Sequence, residues 1–472
     1  MPQKWSEEKS DHFFYFLKNL SGCPPHWITI KFINFHFSLL VFHFFISTFV
    51  KIWKNSILTE NSNILRKNKI VNDPVYGFID ISSDIIFEII EHSFFQRLRR
   101  IKQLGLTYLV YPGATHTRLQ HAMGAMHLMK MAIEVLRNKG QEISKEEAKA
   151  VTIAILLHDV GHGPFSHALE RTIVEGVSHE EISLLFMEKL NKTFDGKLSM
   201  AIEIFKNQYH KKFLHQLVSS QLDMDRLDYL QRDSFFSGVS EGIVGVERII
   251  KMLQVVDDEL VVEEKGIYSV EKFLIARRLM YWQVYLHKTV LSAEKLLVKI
   301  LQRAKELAKT DKNLFATPAL AYFLYNNVSL ETFKNEENSA LEQFAKLDDY
   351  DIISSIKVWC EHNDIVLSSL CKGFIDRNLL KIKFQKQPFD ENIILNLKKD
   401  LKSKLSLTEA ELEYLIFEGK IKNNAYSTSD EKINILYKDG TLVDIADASD
   451  ILNISVLSKV VEKHYLCFWE GK

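Results

Sequence analysis

The chain has 472 residues, 46% hydrophobic and 26% charged, a balance that excludes wholesale disorder and has room for about three domains of ~150 residues each. Lys and Arg number 60 against 61 Asp and Glu, so the formal charge of −1 gives no global electrostatic case for nucleic-acid binding and leaves only local basic pockets. With 18 Gly and 8 Pro, long helices are favoured, and Cys23, Cys360, Cys371 and Cys467 form no CxxC pair, which argues against a disulfide scaffold or thiolate zinc site and for a reducing, cytoplasmic interior.

Residues 1–70 differ from the rest. The run 32–50, FINFHFSLLVFHFFISTFV, carries no charge and is bounded by Lys31 and Lys51. As a helix it would span roughly 28 Å, near the thickness of a bilayer core. Trp27 and Trp53 stand where interfacial aromatics would, yet Asn34, His36 and His43 are costly in lipid. Three readings stay open: a membrane anchor, a translated segment ahead of a later start, and a buried helix. Membrane contact is expected only under the first, and Lys51, Lys54, Arg66, Lys67 and Lys69 would then keep the catalytic bulk cytoplasmic.

From 71 to 310 the pattern is that of a mainly α domain. NDPVYGFIDIS (72–82) reads as a short extended stretch with a turn at Asp73-Pro74. Phe94, Leu98, Ile101 and Leu104 recur at helical spacing, and Gly105 is the expected stop. Further helices are expected over 117–136, 146–159, 164–173 with Pro164 in the first turn, 179–190, 215–233 and 270–308. Residues 311–375 read as a helical bridge. The rest, 376–472, reads as a small α+β appendage, with strands at 378–384 and 432–445, a turn at Asp439-Gly440, a helix over 390–405, and helix then strand over 455–468.

The chemistry lies in a pattern of H…HD…D. His121, the pair His158-Asp159 and Asp225 fall on or beside three different predicted helices. Neighbouring residues on a helix diverge by about 100°, so one helix seldom fills a metal shell, whereas three facing helices can. Two imidazoles and two carboxylates suit Mn, Fe, Co, Ni or Zn and tolerate Mg. On an octahedral ion they leave two positions, enough for a water and a phosphate oxygen. LLHDVGHGPFSH (156–167) packs three histidines, an Asp, two glycines and a proline together, more than a structural loop needs.

RLRRIKQLG (97–105), YPGATHTRLQHAMG (111–124), HDVGHGPFSH (158–167), SHEE (178–181) and DMDRLDYLQRD (223–233) occur in this order. Together they resemble the HD-superfamily deoxynucleoside triphosphate triphosphohydrolases, nearest to the animal SAM-and-HD-domain enzymes and their bacterial relatives. The likeness covers roughly 72–310; the SAM domain and the EGNAQ-type segment of bacterial dGTPases are absent, and no GYP signature follows the HD pair.

The resemblance implies that His121, His158, Asp159 and Asp225 ligate the metal. His162, His167 and His179 would line the phosphates, His179 or His167 leading as general acid, with Glu180 and Glu170 orienting imidazoles. Arg118, three residues before His121, would clamp a phosphate. Arg226, Tyr229 and Asp233 would hold the substrate, Tyr229 packing on deoxyribose and Asp233 reaching the 3′-hydroxyl. Gln103 and Leu104 would contact base and sugar; Tyr285, His287 and Lys288 would touch phosphate or base. Gln96 and Arg99, with Glu91 in place of an expected Asp, match positions where the animal enzymes bind an activating guanine nucleotide between subunits. The expected activity is metal-dependent cleavage of a dNTP, dGTP foremost, to deoxynucleoside and triphosphate by a homo-oligomer, dimer or tetramer. Two other readings compete: an HD phosphodiesterase or nucleotidase on another phosphate ester, and an idle nucleotide sensor or nucleic-acid binder.

Overall fold

A two-stranded hairpin opens the described part of the chain, β1 (Lys69–Asp73) and β2 (Gly77–Ile81), with the turn after Asp73 where the sequence puts it. The structure is a computed structural model; it describes residues 69–470 except 82, 166–171, 173, 175, 311–312, 336–338, 424–425, 427–431 and 451–459. The readings of the 32–50 run and most of the expected 164–173 helix fall outside the described residues. Pro164 and Phe165 themselves form a turn, Phe165 with φ 49°, and not a first helical turn.

The fold is mainly α. Four helices carry the HD motifs: α1 (Arg118–Asn138), α2 (Lys145–Leu157), α3 (His179–Thr193) and α4 (Met224–Ser237). Their starts are written in the sequence. Ser144 Oγ accepts from the Glu147 amide while Glu147 accepts from the Ser144 amide, and Ser178 and Glu181 repeat this box at α3. Asp223 caps α4 through the Arg226 amide, and Gly238 closes it at φ 74°. α1 lies at the centre, packed against both α2 and α4, with Ala122, Met126, Met129 and Ala132 fully buried along it.

Three expected helices are interrupted. The one through Phe94 ends at Arg100, short of Gly105, because Lys102 pairs with Thr117 as an isolated antiparallel bridge and its amide is taken by Asp349. The 215–233 stretch splits into 212–218 and α4 so that Asp223 can cap. The 270–308 stretch becomes α5 (Ile267–Met280), a π turn (Tyr281–Tyr285) and α6 (Lys288–Ala308).

Helices 318–325, 330–334, 340–344, α7 (Asp349–Trp359) and 365–375 form the bridge. Beyond it, β5 (Lys381–Gln385) and β6 (Ile416–Asn423) flank β9 (Val461–Phe468), all antiparallel. A second sheet was not foreseen: β3 (Leu253–Val256) and β4 (Glu259–Glu263) are extended by β7 (Asn434–Leu436) and β8 (Leu442–Asp444), with β7 running parallel to β4. Gly440, at φ 87°, makes the β7–β8 turn. Among the described residues no helix is long and apolar enough to cross a membrane.

Candidate metal and phosphate site

His121 comes from the first turn of α1, His158 caps the C-terminus of α2, Asp159 follows it, and Asp225 lies in the first turn of α4. His121 Nε2 stands 3.0 Å from Asp225 Oδ1, and His158 Nε2 stands 3.4 Å from both Asp225 Oδ1 and Asp159 Oδ1. His121, His158 and Asp225 can converge on one ion.

Each imidazole is turned by its other nitrogen. His121 Nδ1 bonds Asp228 Oδ2 at 2.7 Å, and His158 Nδ1 bonds the Ile155 carbonyl at 2.6 Å. Donation from Nδ1 leaves Nε2 as the lone-pair atom in both rings. Those two buried Nε2 atoms make no well-formed hydrogen bond and face carboxylate oxygens. Lone pairs and carboxylate oxygens gathered around one point call for a cation, a proton or a metal ion, and the donor set fits a divalent ion. With no ion, burial disfavours the His121 imidazolium, but Asp225 and Asp228 outweigh it and raise its pKa to about 10. An ion must therefore displace a proton there. The side chain of Asp225 is 30% exposed against 0% for His121, so the cluster opens on the α4 side.

The turn after the HD pair is held tightly. Ser183 Oγ, on α3, donates to the His158 carbonyl at 2.7 Å and accepts from the Gly161 amide at 2.9 Å. Any Cβ on Gly161 would lie 2.2 Å from the His179 carbonyl, so only glycine lets α3 come this close. His179 then stacks on His162 with ring centroids 3.8 Å apart, and Asp159 Oδ1 lies 3.2 Å from His162 Nε2. Asp159, His162 and His179 form a second group able to converge on one ion. However, Arg118 donates to Asp159 Oδ2 at 2.6 Å, which puts a fixed cation at this group already. Burial first, then Arg118, pushes His162 down to about 3, whereas His162, His158 and Arg118 hold Asp159 well below the carboxylate range despite its burial. Glu180, largely exposed, lies 3.2 Å from His179 Nε2. His167 and Glu170 lie outside the described residues.

The 101–103 stretch runs antiparallel to 116–118: the Gln103 amide donates to the His116 carbonyl and the Arg118 amide to the Ile101 carbonyl. This seats Gln103 and Leu104 beside the start of α1. Tyr229 and Tyr285 meet edge to face at 6.2 Å, and Tyr285 donates to Asp233 Oδ2 at 2.8 Å. Burial first, then the Tyr281 phenol, pushes the Tyr229 hydroxyl well above its usual range. Arg226 pairs with Asp223 at 3.1 Å. Lys288 is exposed and lines a groove with Arg377, Asn378 and Trp469 of the appendage side. Arg99 donates to Gln96 at 2.6 Å on the exposed face of its turn, and Glu91 is also exposed.

Sequence reading missed four residues. Asp228 lies within DMDRLDYLQRD, and its spacing of i+3 from Asp225 puts it on the same helix face. His116 bonds Asp233 Oδ1 at 2.8 Å and stacks on Phe236. Ser183 gave no motif signal. Arg277 of α5 has Nε and Nη1 buried with no hydrogen-bond partner among the described residues, and its charge acts on Tyr229; only its place in the aromatic-basic stretch 277–288 hinted at it.

Residues 118–233 match the HD domain family, and 244–317 match the HD associated region. The chain is 36% identical over 335 residues to the uncharacterized protein YwfO of Bacillus subtilis, covering 70% of this chain and 74% of that protein. A Bacteroides thetaiotaomicron phosphohydrolase, known from its crystal structure, is 56% identical, with TM-score 0.82 over 85% of this chain and all of that one. The SAMHD1 homolog of Dictyostelium discoideum, a deoxynucleoside triphosphate triphosphohydrolase, is 31% identical over 268 residues, 53% of this chain and 52% of that protein. The chain thus spans about half of that relative. Motifs, site geometry and relatives agree: this chain belongs to the HD-domain phosphohydrolases.

Proposed function

We propose that this hydrolase cleaves deoxynucleoside triphosphates to deoxynucleoside and triphosphate, with dGTP the best substrate. The carrying observation is two sets of groups next to the buried His121–His158–Asp225 cluster: Arg118, His162 and His179 gather at Asp159, and Tyr229, Tyr285 and Asp233 gather along α4, with Gln103 joined to Asp233 through His116. The first set suits a polyphosphate and the second a sugar and base. The likeness to the Dictyostelium enzyme supports the same reading.

His121, His158, Asp159 and Asp225 would hold the ion, which when bound supplies Lewis-acid polarisation and an acidified water. Mn, Fe, Co, Ni, Zn and Mg all fit the donor types. Arg118 would take phosphate charge from the Asp159 end and Arg277 from the Tyr229 end; the unpartnered Nε and Nη1 of Arg277 are costly in a buried setting unless an anion arrives. His179, less buried than His162, would hand a proton to the leaving 5′-oxygen. Tyr229 beneath the sugar would exclude a 2′-hydroxyl.

The test is turnover of all four dNTPs with Mg, Mn or Co, with products separated. Triphosphate release supports the reading. Monophosphate with pyrophosphate points to an HD phosphodiesterase or nucleotidase, and no metal-dependent turnover points to a nucleotide sensor. A homo-oligomer with guanine nucleotide bound near Gln96 and Arg99 belongs to the same reading. Light scattering with and without GTP checks it, and a monomer at every nucleotide level ends it.

A further inference from the structure

Behind His121, on the Nδ1 side of its ring, a chain of charged residues continues beyond Asp228 to Arg232 and Asp73, neither of which has a role in the proposed reaction. Asp228 Oδ2 accepts from His121 Nδ1 at 2.7 Å and also from Arg232 Nε at 2.9 Å, while Arg232 Nη2 reaches Asp228 Oδ1 at 3.0 Å. The same guanidinium forks onto Asp73, with Nη1 at 2.7 Å from Oδ2 and Nη2 at 3.3 Å from Oδ1. Asp73 ends β1, and its Oδ1 accepts from the amides of Val75 and Tyr76 at 2.9 and 3.1 Å. Tyr76 in turn lies under the Arg232 guanidinium, 5.5 Å from ring centre to Cζ. His121, Asp228 and Arg232 are wholly buried and Asp73 nearly so.

We infer that Asp73 and Arg232 are positioning residues for the metal site: the relay Asp73–Arg232–Asp228–His121 makes the affinity for the ion depend on the turn between β1 and β2. This rests on the metal-ligand reading and goes beyond it.

The geometry carries the inference in three ways. A carboxylate that bonds only an imidazole is free to rotate about its last torsion; one gripped by two guanidinium N–H groups is not, and its Oδ2 then fixes the imidazole plane. The relay alternates in sign, and its two carboxylates exceed its one guanidinium, so it favours an electron-rich imidazole facing a cation. Room for it has also been reserved: a Cβ on Gly124 of α1 would lie 2.0 Å from Asp228 Oδ1 and 2.1 Å from Arg232 Nη2. A purely structural ion pair on α4 would need neither the shared Oδ2 nor the bare helix surface beneath it.

The experiment uses the full chain freed of metal and titrated with Co²⁺ alone, followed by visible absorption. Asp228→Asn should weaken Co²⁺ binding about 10- to 100-fold, and the remote Asp73→Asn by about fivefold or more. Leu370→Ala, which hollows the buried bridge, should lower the melting temperature and leave Co²⁺ affinity within twofold. In the unaltered protein, Co²⁺ should slow exchange of the Val75 and Tyr76 amides and leave those of 409–415 unchanged; this arm decides if Asp73→Asn does not fold. Affinity unmoved in a folded Asp73→Asn, an equal loss in Leu370→Ala, or unchanged exchange at Val75 and Tyr76 overturns the relay. Failure of the unaltered protein to bind Co²⁺, or binding by His158→Ala as strong as its own, overturns the metal reading and the relay together.

Discussion

The two sides of the site are built on different principles. On the metal side, His121, His158 and Asp225 project from helix ends, and each imidazole is aimed by a buried bond behind it. On the phosphate side, His162 and His179 flank a turn, and their pose depends on clamps from distant parts of the chain. Ser183 grips the turn from α3. Arg97, wholly buried, donates to the Val160 carbonyl at 2.7 Å and the Leu347 carbonyl at 3.2 Å, with Phe344 and Phe186 over its faces. Asp349 accepts from the Lys102 and Phe165 amides at 2.9 and 3.3 Å. The metal ligands thus all stand on the HD helices, with outside support from Asp73 in the hairpin, whereas the phosphate side borrows its shape from the bridge near Leu347. Ligand geometry tolerates little error, so helix ends suit it; a turn held from outside can adjust to a flexible polyphosphate.

The sharpest way to break this contrast is to remove a ligand. His158→Ala or Asp159→Ala should drop metal content and turnover to background while far-UV circular dichroism stays helical, because each deletes a ligand and little packing volume. Metal analysis beside a phosphate-release assay checks it. Next in size, Arg277→Met should lower kcat/KM on the order of 10²–10³-fold with metal content unchanged. That would separate the two sides cleanly, and equal loss of metal would merge them.

Third comes the clamp. Burial raises Asp349 to about 6, above its unfolded value near 3.8. The folded protein therefore holds a proton there that the unfolded chain has lost, and this stabilisation disappears as pH rises from about 4 to about 6. Asp349→Asn carries no such titration. The stability of the unaltered protein relative to this variant should fall by on the order of 2 kcal/mol over that window. Urea melts at pH 4, 5 and 6 measure it, and a flat difference would remove Asp349 from the account. The smallest effect concerns the sugar: Tyr229→Ala should shift the GTP-to-dGTP rate ratio by about tenfold toward GTP, with metal content as the control.

The contrast also explains what could be read from the sequence. Ligands at helix ends leave motifs, because the ligand types and the helix signals sit together: His158-Asp159 follows the apolar run of α2, and Asp225 stands two residues after the capping Asp223. The capping boxes at Ser144 and Ser178 are equally local. Arg97 opens the motif RLRRIKQLG without any sign of what it clamps, and Ser183 and Asp349 leave no motif, since each acts on a residue far away in the chain and looks like any polar residue near an apolar one. The early stop at Arg100 has the same origin: the local pattern continues to Leu104, but the Thr117 bridge and Asp349 override it. Asp228 was within reach, since Asp225, Asp228 and Arg232 share one helix face.

The parallel pairing of β4 with β7 bears on how the chain is made. Val261 meets Asn434, so a strand belonging to the HD-associated region completes its hydrogen bonds with one synthesised far later. Until then β4 has β3 on one side and an open edge on the other, the kind of edge that invites pairing with another chain. Closing so long a loop is entropically costly and slow compared with docking of the local helices. The HD helices can therefore assemble while the ribosome is still at work, with this sheet finished only near the end. Chains truncated before residue 434 should accordingly be more prone to aggregation than their intact helical core would suggest.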